Sequence, residues 1–115
     1  MSRRQQLQAA ARTVLDADGN GRLELGPTTG PPYWTITRVV VATDRPGLAP
    51  VPSMALYLDA EDARGLLDVT YDGSRDASDV DLEMQRGQRL IGVWTGGQPG
   101  DTATLSVTGW QEAGA

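Results

Sequence analysis

Asp16-Ala17-Asp18-Gly19-Asn20-Gly21 is the stretch of this chain with the clearest capacity for chemistry. Acidic or amide oxygens at its first, third and fifth positions, with glycine at the sixth, match the opening of a calcium-binding loop. In such loops alternate side chains converge on one hard cation. Leu23 fits the apolar eighth position, but Pro27 stands at the twelfth, where a bidentate glutamate is needed. No amphipathic helix follows, because Arg22-Leu23-Glu24-Leu25 alternates as a strand and stops at Gly26-Pro27. The favoured reading is a hairpin turn, whose left-handed and side-chain-capped conformations Asp, Asn and Gly supply. Calcium binding is the lesser alternative.

A second candidate is acidic. Nine of the fifteen acidic residues lie between Asp59 and Glu83: Asp59, Glu61, Asp62, Asp68, Asp72, Asp76, Asp79, Asp81 and Glu83. Convergent carboxylates bind divalent ions or work as paired acid and base in glycoside hydrolysis. The competing reading is a solvated face that keeps a sheet edge from pairing with other sheets. Asp79, Asp81 and Glu83 alternate along one strand, about 7 Å apart on one side. That spacing is regular and does not converge, which favours the solvated face.

Tyr33, Trp34, Tyr57, Tyr71, Trp94 and Trp110 are the only aromatic residues. Exposed in line, such rings stack on sugars. Trp34 and Trp94 share parity with apolar neighbours and read as core. Trp110 falls on the threonine face of its strand, where an exposed ring marks a contact surface. The glycine-rich places Gly19–Gly21, Gly26–Gly30 and Gly96–Gly100 read as turns, since none has the Lys and Ser/Thr of a phosphate cradle.

The composition removes much of the remaining chemistry. The chain has no His and no Cys, and all ten of its basic residues are Arg. Absent His takes away the commonest general base and metal ligand, and absent Cys rules out disulfides and thiolate zinc sites. A net charge of −5 disfavours binding to nucleic acid. No apolar run reaches membrane-spanning length, and no apolar segment follows Met1-Ser2-Arg3-Arg4 to make a secretory signal. No nucleophile–base set and no cofactor motif stands out, so a non-enzymatic protein without a cofactor is expected.

At 115 residues the chain fits one domain. The elements that position these residues all read as strands. Arg89–Thr95 and Thr102–Gln111 are joined by Gly96-Gly97-Gln98-Pro99-Gly100-Asp101, a tight hairpin-like connection. In the second run Ala103, Leu105, Val107 and Gly109 alternate with Thr102, Thr104, Ser106 and Thr108. In the first run both faces are apolar, which predicts a strand inside a sheet. Further strands are predicted at Arg12–Leu15, Arg22–Leu25, Tyr33–Thr43, Met54–Asp59, Leu66–Tyr71 and Asp79–Gln85. In Tyr33–Thr43 the alternation puts Trp34, Ile36, Arg38, Val40 and Ala42 on one face. Thr28–Pro32, Asp44–Ser53, Ala60–Gly65 and Asp72–Ser78 read as turns and loops. Ser2–Arg12 offers only a thin stripe of Leu7, Ala10 and Ala11. The expected organisation is an N-terminal arm, residues 1–11, and a β-sandwich domain, residues 12–115. About eight short strands without a helix predict an all-β, jelly-roll-like sandwich.

The succession LDADGNGRLELGP, YWTITRVVVAT, ALYL, LLDVTYDGSRDASD and RGQRLIGVWTGGQPGDTATLSVTGWQ resembles small virion-associated β-sandwich proteins of tailed actinobacterial phages and prophages. The resemblance spans Leu15 to Gln111, and its most distinctive part is GQRLIGVWTGGQPGDTATLSVTG. The Arg-only, Gly- and Ala-rich composition agrees with a GC-rich host. The resemblance implies a structural part of the virion, either decorating the capsid or attached to the tail, and carries over no catalytic residues. It implies other virion proteins as partners, a homotrimer or multi-copy assembly, and a place on the particle surface after synthesis in the host cytoplasm. Neither nucleic acid nor membrane is expected as a partner. Arg3, Arg4, Arg12 and Trp110 are the expected partner contacts, the arginines as an anchor to an acidic neighbour. The alternative is a carbohydrate-binding module that recognises a host surface glycan.

Overall fold

A computed structural model describes residues 4–27, 33–44, 50–60 and 64–112, with only the backbone described at Arg4 and at 68–70. The strands are β1 (Arg4–Val14), β2 (Gly21–Leu25), β3 (Tyr33–Thr43), β4 (Ser53–Leu58), β5 (Leu66–Asp72), β6 (Arg75–Gln85), β7 (Leu90–Thr95) and β8 (Thr102–Glu112). They form two four-stranded antiparallel sheets, a long one ordered β1-β8-β3-β6 and a short one ordered β2-β7-β4-β5. The chain is thus an all-β sandwich, as its turn spacing predicts. Its pairing is nested: β1 with β8, β2 with β7, β3 with β6 and β4 with β5. The inner faces meet in one core that includes Ile36, Val39, Met54, Leu90, Trp94 and Leu105. Burying several large apolar side chains, each contributing about 1.5–3 kcal/mol, holds the layers together without a covalent staple.

Three expectations are corrected. The first is the arm. Residues 4–11 belong to β1, which pairs with β8 from Arg4↔Glu112 to Val14↔Thr102. Leu7 is buried in the core, and Ala9 and Ala11 pack against it. Two of the inner positions of β1, Ala9 and Ala11, are alanine with Ala10 between them, and such a run gives almost no contrast between faces. Alanine also favours helix over strand by propensity. Pairing along the whole of β8 overrides that preference. The loop expected over Asp72–Ser78 likewise shrinks to a turn at Gly73-Ser74, since β6 already begins at Arg75.

The second correction concerns the hairpins. β7 and β8 do not pair; β7 lies between β2 and β4 in the short sheet, and β8 lies between β1 and β3 in the long one. The Gly96–Asp101 connection therefore crosses between the layers, a gap of about 10 Å. The Asp16–Gly21 turn does the same between β1 and β2. A Gly- and Pro-rich turn signals reversal of the chain but not which sheet receives it. The interior position expected for β7 holds, with Leu90, Ile91 and Trp94 all buried.

The third is the facing of β3. Trp34 and Ile36 are buried, but so are Val39, Val41 and Thr43. Ile36 faces Gly109 and the next partners are Arg38 and Thr108, so Thr37 is an extra residue in β3. This bulge reverses the parity of everything after it. It sends Arg38 out to an ion pair with Asp79 at 3.1 Å and turns the Val39–Val41 face inward. Gly109 makes the close approach possible. Its φ is +156°, and a Cβ there would lie 1.9 Å from the Thr35 carbonyl oxygen. The loops expected at Thr28–Pro32 and within Asp44–Ser53 and Ala60–Gly65 lie wholly or partly outside the described residues.

Candidate functional site

The Asp16–Gly21 turn is closed by its own backbone. Asp16 Oδ1 accepts hydrogen bonds from the Asp18 N–H at 2.9 Å and the Asn20 N–H at 3.0 Å. The Asp16 N–H donates to the Asn20 carbonyl at 2.8 Å, and the Gly19 N–H donates to the Asp16 carbonyl at 3.0 Å. Asn20 Oδ1 then accepts from the Gly96 N–H at 3.1 Å, and the Gly19 carbonyl accepts from the Gly97 N–H at 2.9 Å. The turn thus fastens the β1–β2 connection to the β7–β8 connection. A carboxylate aimed at two of its own amides acts as a turn cap, the use that Asp serves in such loops.

The other turn acids behave alike. Asp44 Oδ2 accepts from the Thr102 N–H at 2.9 Å, tying the end of β3 to the start of β8. Asp59 adopts φ 65°, and its Oδ1 accepts from the Arg89 N–H at 2.8 Å. Asp72 Oδ1 accepts from the backbone N–H of Ser74 at 2.9 Å and from its hydroxyl at 2.7 Å. Those two bonds hold the Asp72 carboxyl below its ordinary value of 3.8, the Ser74 hydroxyl contributing most. Asp76 Oδ2 accepts from the Asp72 N–H at 3.0 Å across the same turn. Asp79, Asp81 and Glu83 stand exposed along β6 at alternate positions, as their spacing predicts. Among the described residues, no three acidic side chains come together in a geometry that holds a metal ion.

Two hollows among the described residues bear on the site. One is an apolar slot of about 280 Å³ where the two sheets part at β5 and β6, lined by Val39, Leu56, Leu67, Tyr71, Val80 and Leu82 among others. Its polar lining comprises Asp79, Asp81 and the Tyr71 hydroxyl, which lies 2.6 Å from the Ser78 hydroxyl. The second is a polar groove at one end of the long sheet, lined by Tyr33, Thr35, Glu83, Gln85, Gln88 and Glu112 among others.

The groove adjoins the outer face of the long sheet. There Trp110 lies opposite Thr35 of β3 and Gln6 of β1. Tyr33 lies opposite Glu112 of β8 and Gln85 of β6. Tyr33 and Trp110 are therefore diagonal cross-strand neighbours, about 7 Å apart. They are 45% and 41% exposed, while Trp34 and Trp94 lie in the core. Glu83 stands opposite Thr35 and completes a patch of two rings bordered by carboxylates and amides.

Of the expected contact residues, Trp110 is exposed on this patch. Arg12 is exposed on the same face but lies opposite Thr104. That is about 20 Å from Trp110 along β8. Arg4 pairs by backbone with Glu112 at the aromatic end, and Arg3 lies outside the described residues. The residues do not form one cluster. Tyr33 is the member that sequence reasoning leaves out, because only the β3–β8 register brings it beside Trp110.

No family model, no curated protein and no solved structure matches the chain.

Proposed function

We propose that the chain is a non-enzymatic structural accessory protein of a tailed phage particle, a capsid-decorating or tail-attached part that works through protein–protein contacts. We read its nested strand pairing as a jelly roll, the arrangement of two interleaved four-stranded sheets that recurs in virion proteins. The observation that carries the proposal is the outer face of the long sheet. Its four strands are 11 residues each. By strand geometry the face measures about 36 by 19 Å, or about 700 Å². One side of a standard protein interface is about 800 Å². Ala10, Val40, Ala77, Thr104, Ser106 and Thr108 line its middle by register, beside the exposed Arg38–Asp79 ion pair. Short and hydroxyl side chains let a partner approach closely at little cost in side-chain entropy. The resemblance over Leu15–Gln111 supports the same reading. The test is immunogold electron microscopy, with an antibody to the recombinant protein, on particles released by the host strain. Gold on the particle surface is expected; unlabelled particles, with the protein in the soluble lysate, overturn the proposal.

A second reading is favoured by the Tyr33–Trp110 pair: a carbohydrate-binding patch for a host surface glycan. Two exposed rings flanked by Gln6, Glu83 and Gln85 match what sugar recognition needs, apolar faces for stacking and amide or carboxylate edges for hydroxyls. Cell-wall oligosaccharides should shift the tryptophan emission of the protein, and Trp110→Ala or Tyr33→Ala should abolish the shift. No response across a glycan panel counts against this reading.

A further inference from the structure

The long sheet ends on two strands of opposite charge. β1 and β6 are its edges and are both 11 residues long. β1 carries Arg4 and Arg12 and no acidic residue. β6 carries Asp76, Asp79, Asp81 and Glu83 against one base, Arg75. The side chains of Arg12, Asp81 and Glu83 are exposed, and Asp79 stays 85% exposed although it faces Arg38. An edge strand offers a row of N–H and C=O groups as a template for another strand. Two β6 edges brought together would set carboxylates against carboxylates, and two β1 edges would offer the arginines no acid. Only β1 against β6 joins unlike charges.

We propose that copies of this chain associate head to tail, the β1 edge of one pairing with the β6 edge of the next. Neighbouring strands in the long sheet are antiparallel throughout. Two copies in the same orientation therefore present β6 and β1 in opposite directions, ready for an antiparallel ladder. Full overlap places Leu7 opposite Leu82 and Ala9 opposite Val80 on the inner side. On the outer side it places Gln8 opposite Asp81 and Ala10 opposite Asp79. Arg12 then stands diagonal to Asp79, and the position of Arg4 diagonal to Glu83. Inner meets inner and outer meets outer, as the period of two demands. The apolar slot lies at this same edge, with Leu67 exposed and Val80 and Leu82 only partly buried. An added strand covers it, which supplies apolar burial beyond the backbone hydrogen bonds. A head-to-tail contact closes into a ring or continues as a filament, depending on the rotation between copies. The inference concerns the isolated chain and does not depend on the particle reading.

Disulfide trapping of the purified recombinant protein is the test, since the chain has no native Cys. Directly opposed positions have Cβ atoms about 4.5–5.5 Å apart, close enough for a disulfide after small adjustment. Ala10→Cys combined with Asp79→Cys should form covalent oligomers under mild oxidation, while each single variant stays monomeric on a non-reducing gel. Light scattering of the unmodified protein should show concentration-dependent or stable oligomers, and Arg12→Glu should weaken them several-fold with the circular dichroism spectrum unchanged. A double variant that fails to link overturns the proposal. So do single variants that dimerise as readily as the double one links, or unmodified protein that remains monomeric at every concentration.

Discussion

Gly109→Ala tests the β3 bulge that sets the facing of the core. Gly109 lies opposite Ile36, one step before the extra residue Thr37. Its φ of +156° disfavours any side chain, and strain of that kind costs about 1–3 kcal/mol. A Cβ would also sit 1.9 Å from the Thr35 carbonyl oxygen, a backbone atom that cannot swing aside. Restoring van der Waals distance forces β3 and β8 apart by more than about 1 Å and weakens at least one ladder hydrogen bond, about 1 kcal/mol more. Loosened packing of Ile36 and Val107 brings the expected loss to about 3–5 kcal/mol, a large share of a typical 5–15 kcal/mol. Gly96→Ala is the control, because Gly96 also has positive φ, +76°, but a Cβ there meets nothing within 4 Å. That variant should lose only about 1–2 kcal/mol. Urea unfolding of the two variants and the parent protein measures both losses at a shared m-value. Equal losses in the two variants would refute the argument that the Gly109 contact holds the bulge.

Three further outcomes are expected. Leu7→Ala should cost about 2–4 kcal/mol in urea unfolding, because Leu7 is buried in the core; a surface-like change below about 0.5 kcal/mol would return residues 4–11 to an arm. Trp94→Phe should cost about 1–3 kcal/mol beyond lost volume, since the indole N–H donates to the buried Gly73 carbonyl at 2.9 Å and would leave it unsatisfied; thermal melts give the value. The Asp72 carboxyl is depressed when folded, so its contribution to stability is present above its unfolded value of 3.8 and is lost as pH falls through the lower folded one. The stability advantage of the parent over Asp72→Asn should therefore hold at neutral pH and shrink as pH falls below 3.8; an advantage that stays constant as acid is added contradicts the assignment.

Most of the strand content is legible in the sequence, because the runs in β3, β7 and β8 combine β-branched residues with Gly and Pro punctuation. What fails to show is whatever depends on a distant partner. β1 is hidden because Ala9 and Ala11 satisfy a core position without announcing it. The bulge at Thr37 is hidden because Val39-Val40-Val41 is apolar at both parities, and only Gly109, more than sixty residues away, lets β8 come close enough to demand it. The turn signals at Asp16–Gly21 and Gly96–Asp101 are real, but a turn that reverses within a sheet and one that crosses between sheets use the same residues. The site follows the same rule. Exposure of Trp110 is readable from the threonine parity of β8, and the spread of Asp79, Asp81 and Glu83 from the parity of β6. The neighbour of Trp110, Tyr33, depends on register, and the opposition of β1 and β6 depends on strand order.

Absolute quantification of the protein by mass spectrometry in purified particles, against isotope-labelled peptides and the major capsid protein, tests the proposed role most directly. The account predicts a fixed copy number per particle that is a multiple of the symmetry of its attachment site. Trace amounts that vary between preparations and fall with each further purification step would contradict it.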